Sequence, residues 1–192
     1  DNAVENQEQQ NTDSYQLNKE LTVTADYAHP VKTSSLLETG YRYSGKNLLN
    51  DFTSESYNPL SGAWENDTAL ANSFHYLQDV HAVYLNLETK FRFFDMQAGL
   101  RAEYTATDQV DTLKNEYINL FPSLTVSKAL GKNFRYFVSY TRRINRPTIK
   151  MLNPYTNEYA DILNMHVGNP DLKPEYVNSF ETGTRFSFDN IS

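Results

Sequence analysis

The sequence predicts an all-β chain, a portion of an antiparallel up-and-down transmembrane β-barrel contributing about seven strands of a larger barrel. Three observations predict it. Apolar and polar residues alternate with a period of two along most of the chain, and a period of 3.6 is nowhere sustained. The connections alternate between short turns and long polar loops, as in a meander whose two ends face different compartments. Aromatic residues reach 14%, with 14 Tyr and 11 Phe, although hydrophobic residues make up only 39%. A soluble core leans instead on Leu, Ile and Val.

The elements follow in order. Residues 1–14, "DNAVENQEQQNTDS", are rich in Asn, Gln, Asp and Glu and read as a solvated extracellular loop segment. From 15 to 27 the odd positions (Tyr15, Leu17, Lys19, Leu21, Val23, Ala25, Tyr27) are mostly apolar and the even ones wholly polar, giving the first strand. The second, near 34–44, contains "LETGYRYS". Further strands are expected near 80–89, 94–104, 117–127, 133–143 and 176–188, the last containing "FETGTRFS", which repeats the earlier pattern. The 94–104 strand alternates most cleanly, with Phe94, Met96, Ala98, Leu100, Ala102 and Tyr104 on one face. Short turns are expected at "HPVK", "KFRF" and "LGKN", and long extracellular loops near 46–76, 106–116 and 145–173. The partial barrel domain thus covers 15–188, and 189–192 begin a periplasmic turn.

Strand geometry assigns the faces. Phe94 and Tyr104 are separated by about 33 Å of strand, which at a barrel tilt becomes about 25 Å of height, the separation of two aromatic girdles. Ala98, Leu100, Leu124, Val126 and Val138 are then expected toward lipid. The lumen-facing candidates are Glu38, Arg42, Arg101, Glu103, Glu181 and Arg185. In an extended strand Glu38, Gly40 and Arg42 share a face, as do Glu181, Gly183 and Arg185, so both repeats place charge on the wet side.

Composition excludes other classes. A net charge of −7 argues against nucleic acid, and the absence of Cys excludes disulfides and thiolate metal sites. No run of 18 apolar residues offers a transmembrane helix, and the N-terminus lacks a signal-peptide pattern. His29, His75, His81 and His166 have no metal-ligand spacing, and no nucleophile elbow occurs, so neither a metal, a cofactor nor catalysis is expected. In the long loops Tyr57, Trp64, Tyr155 and Tyr159 are candidates to stack on a ligand, and Arg143 and Arg146 of "RRINRP" to meet an anion. The plainer expectation for those arginines, with Arg142, is that they pair with acidic side chains and hold the loop base.

From residue 141 the chain carries "SYTRRINRPTIKMLNPY" and then "GNPDLKPEYVNSFETGTRFSF", which closely resemble the barrel of TonB-dependent outer-membrane receptors, of the β-barrel family abundant in Bacteroidetes. "YLNLETKF", "AGLRAEYT" and "NLFPSLTVSKAL" resemble successive hairpins of that family. The resemblance implies a bacterial outer-membrane location, a barrel of 22 strands in all, a plug folded inside it, and import of a bulky ligand (iron chelate, glycan or peptide) with energy relayed through TonB. Its implied partners are outer-membrane lipid and lipopolysaccharide, the rest of the barrel and plug, and TonB. Seven strands cannot close a barrel without exposing an edge to lipid, so an internal barrel fragment is expected. Two alternatives remain open on sequence: a soluble secreted β-sandwich that binds glycans, and a plug-less barrel acting as a passive channel.

Overall fold

The computed structural model describes residues 9–68, 71–109, 113–131, 133–155 and 167–187. One antiparallel sheet dominates, built from β1 (Gln10–Lys32), β2 (Ser35–Asn58), β4 (Asn72–Lys90), β5 (Asp95–Gln109), β6 (Leu113–Ala129), β7 (Phe134–Asn145) and β8 (Glu175–Phe186) in that spatial order. A short β3 (Ala63–Asn66) pairs only with the end of β2, forming a hairpin tip. A single helical turn, α1 (Ile149–Leu152), follows β7.

The registers sort side chains into rows that cross the sheet. On one face run Val23, Tyr43, His81, Tyr104 and Ile118, and next to them Ala25, Tyr41, Val83, Ala102 and Leu120. Further toward the short turns lie His29, Leu37, Leu87, Ala98, Leu124, Tyr140 and Phe180. These rows are largely apolar and open, with Val83 55%, Ile118 73% and Phe180 80% exposed. The opposite face carries Asp26, Gly40, Tyr84, Arg101 and Phe121 in one row, and Thr24, Arg42, Ala82, Glu103 and Asn119 in the next. Residues of β1, β2 and β4 to β7 line a recess of about 810 Å³ on this polar face. Elements so far apart in strand order share one recess only if the sheet curls toward it, so the polar face is concave and the apolar face convex.

The repeated "ETG" has a packing cause. Gly40 pairs with Tyr84 and Gly183 with Phe137, each the aromatic residue directly opposite. The ring lies across the glycine in both cases: a Cβ on Gly40 would fall 2.5 Å from Tyr84, and one on Gly183 2.7 Å from Phe137. A strand glycine loses stability through backbone entropy, and a cross-strand ring covering its bare backbone offsets that loss. The turns follow their residues as well. Gly131 of "LGKN" has φ 85°, which glycine adopts without strain, and Phe91 N–H donates to Phe94 C=O across "KFRF" at 2.8 Å.

Three expectations are corrected. The loops placed at 46–76 and 106–116 are largely strand, because β2 continues to Asn58, β4 begins at Asn72, β5 continues to Gln109 and β6 begins at Leu113. Likewise β1 begins at Gln10, inside the segment read as loop to residue 14. Backbone ladders persist there although the outer face turns polar, and the inner face carries the buried Leu48, Phe52, Phe74 and Tyr76. The first tight turn also lies beyond "HPVK", at Thr33–Ser34. Residues 1–8 and 188–192 lie outside the described residues.

Candidate functional site: the concave face and the loop folded onto it

The ladder between β6 and β7 stops at Ser123 opposite Thr141, at the point where Pro122 supplies no N–H to extend it. Above this point β7 pairs with β8 alone, as far as Asn145 opposite Glu175. The chain then turns inward. Arg146 Nη2 donates to Glu103 Oε2 at 2.7 Å and to Thr105 Oγ1 at 3.0 Å, while its Nε reaches Tyr117 Oη at 3.4 Å. Arg101 Nε holds the other carboxylate oxygen, Oε1, at 3.0 Å. Glu103 is 6% exposed and Thr105 fully buried, so the two arginines supply the charge that makes burial of this carboxylate tolerable. Burial pulls the Arg146 guanidinium down, but its bonds to Glu103 and Tyr117 outweigh this and raise it above its ordinary value.

Beyond Arg146 the loop lies on the concave face. Leu152 packs against Leu48, Phe74 and Tyr76 of β2 and β4, with Ile149 at the margin, forming a hydrophobic cluster inside the upper wall. Burial, with Tyr117 nearby, pushes the Tyr76 phenol up to about 12 despite Arg146 acting the other way. The "GNPDLKPE" stretch straps this turn: Gly168 N–H donates to Asn153 C=O at 2.8 Å and Asn169 N–H to Met151 C=O at 2.7 Å. Any Cβ at Gly168 would collide with those same carbonyl oxygens. Between loop and strands is a cavity of about 610 Å³, bounded by Tyr76, Tyr117, Leu152, Pro170, Leu172 and Tyr176.

The expected site residues fall into distinct places. Arg42, Arg101, Glu103 and Arg143 line the large recess, whose other charged members are Asp26, Arg142 and Arg146. Glu38 edges a shallower hollow with Asn86, Glu88 and Thr125. Arg185 lines another near the short turns beside Lys90, Asp95 and Arg135, where Arg135 Nη1 pairs with Asp95 at 2.6 Å. Glu181 accepts from Ser179 Oγ at 3.0 Å. Of the loop candidates, Tyr57 and Trp64 face each other across the β2–β3 hairpin with ring centroids 5.6 Å apart. Tyr155 is 41% exposed, its N–H bonded to Asn153 Oδ1 at 3.0 Å. Tyr159 and His166 lie outside the described residues. Arg146, a candidate either to meet an anion or to hold the loop base, pairs with a buried carboxylate 43 residues earlier in the chain. Sequence reading missed Thr105, Leu152 and the Leu48, Phe74 and Tyr76 cluster.

On the convex face Tyr41 Oη and His81 Nδ1 are 2.7 Å apart, Tyr43 Oη donates to Asp79 at 2.5 Å, and the His81 ring lies 6.3 Å from that of Tyr104. This band of amphipathic rings bounds the apolar rows on their long-loop side, the place of an interfacial girdle.

A single curved antiparallel sheet, apolar outside and charged inside, with one loop folded into its mouth, is the wall of an outer-membrane barrel. The chain belongs to the outer membrane protein beta-barrel family, whose model matches residues 1–192. Its location is the outer membrane. Among solved structures it is similar to the crystal structure of the siderophore receptor PirA from Pseudomonas aeruginosa, at 14% identity and a TM-score of 0.36. That match covers 90% of this chain and 44% of the receptor's, so the chain spans under half of that protein. No curated protein matches. Family membership sets aside the soluble sandwich.

Proposed function

We propose that this chain is part of the wall of an outer-membrane transporter that imports a bulky ligand, an iron chelate, glycan or peptide, with energy supplied through TonB. The observation that carries the reading is the loop from Arg146 to Asn153, latched to Glu103 and Thr105 and packed onto Leu48, Phe74 and Tyr76, which narrows the mouth above a polar recess. A narrowed mouth suits capture and controlled passage better than free diffusion. The resemblance of "RRINRPTIKMLNPY" and "GNPDLKPE" to energised receptors adds support. In this reading further strands complete the wall, a plug occupies it, TonB engages the plug, and the convex rows meet lipid and lipopolysaccharide.

Uptake of labelled iron chelates, oligosaccharides and peptides by cells expressing the full-length protein tests it. Accumulation of one of these that stops when TonB is deleted or a protonophore is added is the expected result. Accumulation that continues unchanged under both treatments means a passive barrel.

A further inference from the structure

The large recess has an unbalanced lining. Five arginines, Arg42, Arg101, Arg142, Arg143 and Arg146, border it against two carboxylates, Asp26 and Glu103. Both carboxylates are committed: Glu103 to Arg101 and Arg146, and Asp26 to the Tyr84 hydroxyl. No ion pair among the described residues involves Arg42 or Arg143. This excess of positive charge stands out in a chain of net charge −7.

A second observation is independent of the charge count. Asn119 Nδ2, Thr141 Oγ1 and Arg142 Nε are buried atoms without a hydrogen-bond partner; Thr141 borders the recess, while Arg142, which alternates to the face of Tyr140, lies over the Tyr176 ring. Buried donors are normally satisfied, and one left unpaired costs about 1–3 kcal/mol. All three can donate, so what completes them is an acceptor.

Register places the cations in a belt. Arg143 lies one pleat beyond Thr141, the last residue of β7 paired to β6, and Arg101 pairs with Phe121. Arg42 lies one pleat higher, in the row of Glu103. With strands about 4.8 Å apart, Arg42 and Arg143 each stand about 10 Å of arc from β5. A single small anion cannot span that belt, whereas a solute bearing several anionic groups can engage it with guanidinium forks at separate points.

We propose that the recess binds a polyanionic solute, one carrying several carboxylate or phosphate groups, through Arg42, Arg143 and the unpaired hydroxyl of Thr141. This rests on the import reading and specifies the charge class of the cargo. Two sources of such oxygen acceptors exist, a solute or acidic side chains from elsewhere in the complete protein, and they are separable.

The test is calorimetric titration of the full-length protein in detergent with phytate, and with uncharged myo-inositol as the same ring without charge. Saturable binding of phytate alone is expected. Arg42→Gln with Arg143→Gln should weaken it at least tenfold, while Arg185→Gln, on the same face but nearer the short turns, should change it less than twofold. Heat-modifiable gel mobility confirms that each variant is folded, and Arg143→Lys should recover part of the affinity. Absence of phytate binding overturns the proposal and assigns the recess to the protein's own carboxylates. Binding that survives the double substitution, or falls equally in Arg185→Gln, overturns it too. Because binding in detergent needs no energy, uptake independent of TonB alongside intact phytate binding removes the import reading alone, and TonB-dependent uptake without phytate binding removes the site alone.

Discussion

Arg146 donates to Glu103 across 43 residues of sequence, at 2.7 Å, and ties the exit of β7 to the inner face of β5. Removing either partner leaves the other charge buried without its counter-ion. Glu103→Ala should cost about 3 kcal/mol, the lower end of the range for a broken buried pair, because the Arg146 side chain remains 24% exposed. Denaturant unfolding of the barrel in detergent measures the loss. A change below about 1 kcal/mol would mean that the pair is a solvated contact rather than a latch.

Leu152 is the hydrophobic half of the same anchorage, at 4% exposure. Leu152→Ala should weaken loop docking by about 2–3 kcal/mol, the cost of an emptied leucine site. Lys150 is exposed beside it, so trypsin cleavage after Lys150 should accelerate in the variant. Unchanged cleavage kinetics would place the stability of the loop elsewhere.

The convex face should be intolerant of charge. Leu100→Arg should destabilise by about 2–4 kcal/mol if that row lies near the bilayer midplane, as for arginine on a barrel's lipid face. Arg101→Gln, one residue along on the concave side, should cost less than half of that despite losing its contacts to Glu103 and the Phe121 ring. Refolding into liposomes at graded denaturant compares them, and equal losses would contradict the assignment of faces.

Alternation made these faces readable without a structure, because lipid on one side and water on the other force period-two selection. The signal fades above the Tyr43, His81 and Tyr104 row. There the outer side of β2 reads Asn47, Leu49, Asp51, Thr53 and Glu55, mostly polar, yet β1 pairs with it throughout and β4 as far as Phe52. Water outside removes the apolar row from the outer face, while the apolar residues Leu48, Phe52, Phe74 and Tyr76 move to the inner face, so the alternation that marks the lipid-facing part of the strands ends before the ladder does. The inward loop was illegible for another reason. Its anchors, Glu103 for Arg146 and Leu48 with Phe74 for Leu152, are distant in sequence and share no periodicity with the loop.

Sidedness follows from the same layout. Leu60, at the tip of the β2–β3 hairpin, is 97% exposed, and Gly131 sits in a tight turn at the opposite end of the sheet. An epitope inserted after Leu60 should bind antibody on intact cells, and one after Gly131 only after the outer membrane is permeabilised. The reverse pattern would invert the barrel.

The polar concave face is the barrel interior and the apolar convex face meets lipid. The segment contains no cysteine, so single cysteines report cleanly once any elsewhere in the full-length protein are replaced. A bimane label at Gln97, Ala98, Leu100, Arg101 or Ala102 in liposomes of brominated lipid measures contact with acyl chains directly. Strong quenching is expected at Ala98, Leu100 and Ala102 and little at Gln97 and Arg101. Quenching that does not alternate, or that is stronger at Gln97 and Arg101, would contradict it.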